Sequence, residues 1–202
     1  MKYLAIDTSG KNLTVVINDG KKIYAVHDEN CSVRHSVELM PRVEELIKES
    51  KISLSEVDFF GVVLGAGSFT GIRIGVSTVK ALCFAYNKPC LGITSFDTIA
   101  YNKKNGKVLA VIDAKHDGFY VCGYEDKRVT YEPSYVMREE VLRLSKEYKL
   151  LSFESIEGLK VEKVSVKDGL ILAIDYNHEK ATTDYSSVEP LYVRKSQAEE
   201  GR

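Results

Sequence analysis

Small polar side chains that can contact a phosphate group occur at two places in this chain. One place is the end of the first apolar segment, and the other is the glycine-rich stretch GAGSFTGIRIG at residues 65–75. The candidate residues are Asp7, Thr8, Ser68 and Thr70. Free backbone N–H groups at a strand-to-helix turn attract anions, and Ser and Thr are also common helix N-caps. The pattern therefore predicts either a phosphate-binding turn or a purely structural one.

The glycine-rich stretch does not fit the common nucleotide-binding and hydrolase motifs. Gly71 is not followed by the lysine of a Walker loop, and Thr70 stands where a dinucleotide fingerprint requires glycine. Ser68 directly follows Gly67, so the GxSxG nucleophile elbow is absent. The residues alone leave the structural turn and the anion site both open.

Elements on either side of this stretch must position it. Residues 59–64 have the length and branching of a buried strand, and residues 72–86 have helical apolar spacing. Before them we predict three antiparallel strands at 2–8, 13–17 and 23–27, and a helix at 35–50. Pro41 is expected to kink that helix or to mark its first turn. A short strand at 89–93 and a short helix at 94–101, capped by Thr94 or Ser95, complete this half.

The pattern of the first half begins again near residue 107. KYLAID at residues 2–7 is echoed by KVLAVID at residues 107–113, and a turn and two further strands follow each copy. Two such copies predict a duplicated α/β protein, with subdomains at 1–104 and 105–202 joined through NKKNG. We predict a helix at 137–148, strands at 149–153 and 170–174, and a disordered end from residue 197.

Composition excludes several classes of protein. The 202 residues carry 28 basic and 29 acidic side chains, so the basic excess of a free-standing nucleic-acid binder is missing. No segment approaches the ~20 apolar residues of a membrane span, and from the polar start of the first strand we expect no signal peptide. The four cysteines form no CxxC pair, which favours buried, reduced thiols. We expect a soluble, cytoplasmic protein.

The glycine-rich stretch resembles the signature GPGSFTGxRxG of the TsaB family, with Ala66 in place of the proline. The segments LAIDTS, RHSVELMP and EPLYVRK are similar to that family as well, and the matches extend from residue 4 to residue 195. The resemblance implies an α/β fold of two tandem ribonuclease H-like subdomains of the actin and sugar-kinase type, each a mixed sheet with flanking helices.

The resemblance also implies a function. TsaB is a non-catalytic dimerisation subunit that pairs with the transferase TsaD when N6-threonylcarbamoyladenosine is formed in tRNA. The ATPase TsaE is expected to associate with this chain through the complex with TsaD, and tRNA is expected to contact the chain only in that complex. The chain alone is expected to bind no cofactor and to form a homodimer or remain a monomer, while a nucleotide at the subunit junction is left open. The alternative is a small ATPase or phosphotransferase of the same superfamily.

The residues agree with the absence of catalysis. The second hairpin, at residues 113–118, carries bulky charged side chains where a tight phosphate turn favours glycine. The transferase paralogue binds metal in its first helix through two histidines four residues apart, whereas here Leu39 follows His35 at that spacing. One imidazole cannot hold a metal ion alone, so we predict no metal and no catalytic residue.

The helix at 72–86 has two apolar sides, one of them rich in small residues such as Ala81, whereas a helix on a sheet needs only one. The helix at 35–50 is strongly apolar as well, and we consider the two helices together. We predict that they form half of a four-helix interface with TsaD; the alternative is that the protein's own core absorbs both. The predicted interface residues are His35, Leu39, Met40, Val43, Leu46, Ile72, Val76, Val79, Ala81 and Cys83.

Overall fold

The computed structural model describes residues 1–194. The predicted disorder from residue 197 onward lies outside the described residues. Within them, no helix is both long enough and apolar enough to cross a bilayer.

The first half of the chain forms a five-stranded mixed sheet in the order β3-β2-β1-β4-β5. The first three strands are antiparallel neighbours, and β4 and β5 continue from β1 in parallel. Its strands are β1 (Tyr3–Asp7), β2 (Leu13–Asn18), β3 (Ile23–Asp28), β4 (Phe59–Val63) and β5 (Cys90–Ile93). Its helices are α1 (His35–Ser50), α2 (Phe69–Tyr86) and α3 (Ser95–Ala100).

The second half repeats this plan, which confirms the predicted duplication. Its sheet has the order β10-β9-β6-β7-β8, with β6, β7 and β8 antiparallel. Its strands are β6 (Lys107–Asp113), β7 (Gly118–Glu125), β8 (Arg128–Met137), β9 (Lys149–Ser152) and β10 (Glu162–Lys163). Its helices are α4 (Arg138–Leu144) and α5 (Val166–Asn177), so the helix predicted at 137–148 is real but shorter.

The strand predicted at 170–174 is wrong, because these residues lie in the middle of α5. Ser165 caps this helix by accepting from the backbone N–H of Asp168 at 3.1 Å. Leu170 and Ile174 are buried together with Ala173, so the run has the uniform hydrophobicity of a central strand. A short apolar run of this kind does not distinguish a buried helix from a strand.

Each half contributes one helix that packs on the sheet of the other half. Helix α5 packs on the first sheet, where a Cβ on Gly61 of β4 would come within 2.5 Å of Ile174 Cδ1. Helix α3 packs on the second sheet, and its Asp97 accepts a hydrogen bond from the hydroxyl of Tyr124 in β7 at 2.9 Å. The subdomain boundary at 104/105 stays a prediction, because α5 comes after this boundary in the chain but packs on the sheet that comes before it.

The other face of the first sheet carries α1 and α2. Pro41 lies inside α1, so the alternative prediction that it marks the first turn of this helix is wrong. Helix α2 begins at Phe69, three residues earlier than predicted, and Ser68 is its N-cap.

Candidate functional site

The predicted phosphate contacts meet where β1 ends. Asp7 is the last residue of this strand and is almost wholly buried. Its Oδ1 accepts hydrogen bonds from the backbone N–H and from the hydroxyl of Ser9, at 2.8 and 2.7 Å. Burial raises the pKa of Asp7, although both hydrogen bonds favour its ionised form.

A chain of hydroxyl groups extends this arrangement. Ser95, the first residue of α3, donates from its hydroxyl to Ser9 Oγ at 3.0 Å, and Ser9 in turn donates to Asp7. The backbone N–H of Ser68 donates to Ser9 O, and that of Ser95 donates to Gly65 O, both at 2.6 Å. These donors are therefore committed to the protein itself and are not available to a phosphate.

The glycines of the turn allow it to press against the end of β1. A Cβ on Gly67, whose φ is +151°, would lie 2.2 Å from Ser9 O. A Cβ on Gly71 would lie 2.0 Å from Thr8 O. Both contacts are with backbone atoms that cannot turn aside, so only glycine fits at either position. These contacts favour the structural reading of the turn.

Of the remaining predicted phosphate residues, Ser68 lines the same cleft as Asp7, whereas Thr8 and Thr70 do not. Thr8 is buried, and its hydroxyl donates to Gly71 O at 2.7 Å. Ser68 Oγ accepts from the backbone N–H of Gly71 at 3.2 Å, which is the cap of α2. Thr70 is exposed and does not line the cleft described next.

A cleft of about 410 Å³ opens above Asp7 between the two sheets. Asp7, Ser9 and Ser95 line it from the first half, and Asp113, Tyr120 and Glu154 line it from the second. Lys11 and Glu154 form an ion pair of 2.9 Å that joins the two halves at this cleft. Sequence reasoning missed Ser95, Lys11 and Glu154, because the residues carry no motif and only the fold brings them together.

His35 is the first residue of α1 and is buried beside the first turn of α2. Its Nε2 lies 3.2 Å from Asn12 O, which makes Nε2 the protonated nitrogen. Its Nδ1 has no hydrogen-bond partner among the described residues, and a Cβ on Gly71 would come within 3.2 Å of it. Burial lowers the pKa of His35. Within residues 1–194, no three His, Cys, Asp or Glu side chains are grouped so that they could hold a metal ion.

Most of the predicted interface residues are not at a surface. Only Met40 and Ala81 are exposed, and the other side chains lie in the core between α1, α2 and the first sheet. The buried residues are His35, Leu39, Val43, Leu46, Ile72, Val76, Val79 and Cys83. Most of the predicted residues belong to the regular apolar stripe of each helix, and that stripe faces the sheet, whereas Ala81 belongs to the other apolar side of α2.

Both helices nevertheless expose apolar side chains on their outer sides. Val33, just before α1, and Val37, in its first turn, are 90% and 68% exposed, and Phe84 in α2 is 81% exposed. We call this set of exposed residues the α1–α2 face; it comprises Val33, Val37, Met40, Ala81, Phe84 and Ala85. Ile47, Ile74 and Leu82 are half-buried and pack against the core beneath it. These side chains belong to the layer of two contacting helices on one face of the first sheet, and exposed large apolar groups in such a layer indicate an interaction surface.

These features define a duplicated α/β protein in which each half is a five-stranded mixed sheet flanked by helices. Two solved structures from Pseudomonas aeruginosa share the fold. YeaZ has a TM-score of 0.74 with 22% identity, over 95% of this chain and 99% of that one. An uncharacterised protein with similarity to peptidase YeaZ has a TM-score of 0.78 with 20% identity, over 96% and 99%.

Sequence comparisons narrow the class to a family. Residues 14–188 match the model of the family TsaD, tRNA N6-adenosine threonylcarbamoyltransferase. The tRNA threonylcarbamoyladenosine biosynthesis protein TsaB of Escherichia coli K12 is 29% identical over 98% of this chain and 96% of its own. The TsaB protein of Bacillus subtilis 168 is 28% identical over the same shares. The chain belongs to the TsaD family as this model defines it, and it is similar to the TsaB proteins over nearly its whole length.

Proposed function

We propose that this chain is a non-catalytic subunit in the formation of N6-threonylcarbamoyladenosine in tRNA, and that it binds and activates a TsaD-type transferase. The names of the curated TsaB relatives support the pathway. The match to the transferase's own family model supports a partner of the same fold. A TsaE-type ATPase and tRNA would then meet this chain only through the complex.

The α1–α2 face is the observation that carries the proposed partner role. An exposed phenylalanine on α2 and two exposed valines at the start of α1 lie on the same side of the first sheet. Burial of apolar side chains stabilises a complex by about 25 cal/mol per Å² before the costs of association. Ala81 and Ala85 are small and exposed on α2, so a partner helix could approach its backbone closely.

The cleft supports the non-catalytic part of the proposal. Its floor is a buried carboxylate, which repels phosphate unless a metal ion intervenes, and the neighbouring donors bond within the protein. On the opposite side, Lys115, His116 and Asp117 hold left-handed backbone angles at the tip of the second hairpin. Side chains therefore occupy a turn where a phosphate loop favours glycine.

A binding experiment tests the proposal. The tagged chain and the TsaD-type transferase from the same genome would be co-expressed, with Ala81→Arg as the variant and Leu142→Arg on α4 as the control. Both positions are exposed helix positions, so neither substitution disturbs the core. We expect the wild type and Leu142→Arg to retain the transferase and Ala81→Arg to lose it. Equal retention by both variants would show that the wrong surface has been assigned.

Val76→Glu, a substitution that the sequence pattern suggests for this purpose, is unsuitable. Val76 is 5% exposed and belongs to the core, so a buried glutamate would unfold the chain whether or not a partner binds there.

The rival function, a small ATPase or phosphotransferase, makes a different prediction for the isolated chain. It requires turnover of Mg·ATP by the purified protein without a partner. The proposed function expects no turnover, and it expects a nucleotide, if one takes part, at the subunit junction. Size-exclusion chromatography with light scattering will decide between a monomer and a homodimer for the chain alone, since the α1–α2 face could pair with a second copy.

A further inference from the structure

Two residues of the glycine-rich signature, Phe69 and Arg73, have no role in the turn or in the core. The glycines fit the close contacts with β1, and Ser68 caps α2. Arg73 is exposed, and Phe69 is half-buried on the first turn of the helix. Both lie against Tyr192, which belongs to the final segment EPLYVRK.

The three side chains form one stacked cluster. The rings of Phe69 and Tyr192 stack with centroids 4.4 Å apart and an interplanar angle of 26°. The Arg73 guanidinium lies over the Phe69 ring, 4.0 Å from its centroid. Arg73 Nε donates to the Tyr192 hydroxyl at 3.0 Å. The backbone also fixes the final segment, because Leu191 N–H donates to Leu64 O at 2.8 Å.

This cluster holds the arginine in place by cation–π contact and one hydrogen bond, without an ion pair. Within residues 1–194, no acidic side chain forms an ion pair with Arg73, whereas Arg34, Arg42, Arg138 and Arg143 each have one. The bond from Nε leaves the two terminal nitrogens of the guanidinium for another group. A guanidinium in a fixed orientation binds a planar carboxylate through two parallel hydrogen bonds and loses little side-chain entropy on binding.

Arg73 also continues the α1–α2 face. Residues 73, 77, 81 and 85 follow one another at intervals of four on α2, and all four are exposed. At a rise of ~1.5 Å per residue, Arg73 lies about 12 Å along the helix from Ala81. The positive end of the helix dipole is at the same end of α2, and it favours an anion there.

We propose that Arg73, oriented by Phe69 and Tyr192, binds an aspartate or glutamate side chain of the protein that covers the α1–α2 face. This inference rests on the proposed function and assigns a chemical group to one end of the interface. The apolar residues supply contact area, and Arg73 determines which partner fits and in which register. A protein carboxylate is favoured over an RNA phosphate because the arginine is continuous with an apolar helix face, and apolar helix faces bind protein.

The test compares affinities for the separately purified TsaD-type transferase, measured by titration calorimetry. Arg73→Lys keeps the positive charge but loses the fork and the flat stacking surface. We expect this variant to bind at least tenfold more weakly than the wild type, and Arg73→Met to bind more weakly still. The control is Arg128→Met in β8, an exposed position without an ion pair among the described residues, and it should change affinity less than twofold.

Tyr192→Phe separates orientation from charge. It keeps the ring that stacks on Phe69 and removes the hydroxyl that fixes Arg73 Nε, so we expect affinity for the transferase to fall about threefold. Added to Arg73→Met, the same substitution should cause no further loss of affinity. Thermal unfolding of each variant should match the wild type within a few degrees, because the cluster is at the surface.

Each other outcome is decisive. If Ala81→Arg abolishes binding but Arg73→Lys binds like the wild type, the carboxylate inference is wrong and the proposed function stands. If the wild type itself does not bind the transferase, both fail. If the Arg73 variants bind the transferase normally but lose tRNA from the assembled complex, the arginine contacts a phosphate and the inference is overturned.

Discussion

Replacing Gly71 by alanine tests how the glycine turn positions α2. The new Cβ would lie 2.0 Å from Thr8 O and 3.2 Å from His35 Nδ1, whereas an ordinary contact needs at least 3.4 Å. Either α2 or the end of β1 must move by more than 1 Å. Overpacking of a tight site costs about 3 kcal/mol, and alanine returns about 1 kcal/mol through helix propensity. We expect a net loss of about 2 kcal/mol.

Gly10→Ala is the matched control, because a Cβ there would meet nothing within 4 Å. Urea unfolding followed by circular dichroism measures both variants. A loss of about 2 kcal/mol corresponds to a fall of about 6 °C in Tm for a protein of this size. Gly71→Ala should also weaken binding of the transferase, since α2 carries the α1–α2 face. If Gly71→Ala is as stable as Gly10→Ala, the turn is not held by this contact and the structural reading of the signature is wrong.

Three further substitutions test the electrostatics. Folding lowers the pKa of His35, so the unfolded chain binds the proton more readily and the free energy of unfolding decreases as pH falls below about 6.5. His35→Gln should flatten this pH dependence in urea titrations between pH 7.5 and 5.5. An unchanged slope would contradict a lowered pKa at His35. Tyr124→Phe removes a hydrogen bond to the Asp97 carboxylate and should cost about 2 kcal/mol in the same assay, with a loss below 0.5 kcal/mol counting against a role in joining the halves. Lys11→Ala should cost less than about 1 kcal/mol, because both members of its pair with Glu154 are about half exposed; a larger loss would mean that the pair closes the cleft.

The sequence predicts the duplicated fold well because its signals are local. The echo of KYLAID in KVLAVID, the turn at Asn18-Asp19-Gly20 and the stripe of α1 each specify an element without reference to the other half. Prediction fails at α5, where the run at residues 170–174 is as uniformly apolar as a central strand although Leu172 is exposed. The exchange of helices between halves is a property of tertiary packing, and no local pattern encodes it.

The candidate sites show the same difference between local sequence signals, which can be predicted, and tertiary packing, which cannot. Ser68 is correctly predicted as a cap, because capping depends on residue type and position alone. The surface of α2 is predicted only in part, since Ala81 is exposed as expected, Val76 and Val79 are buried, and the exposed Phe84 and Arg73 were missed. Periodicity identifies an apolar side of a helix, but only the packed structure shows which apolar residues remain uncovered.

Hydrogen–deuterium exchange on the assembled complex measures the central claim most directly. Peptides from α1 and α2 should exchange more slowly when the TsaD-type transferase is added, and peptides from β8 and α4 should be unchanged. Protection centred on β8 and α4, with α1 and α2 exchanging as in the isolated chain, would contradict the account.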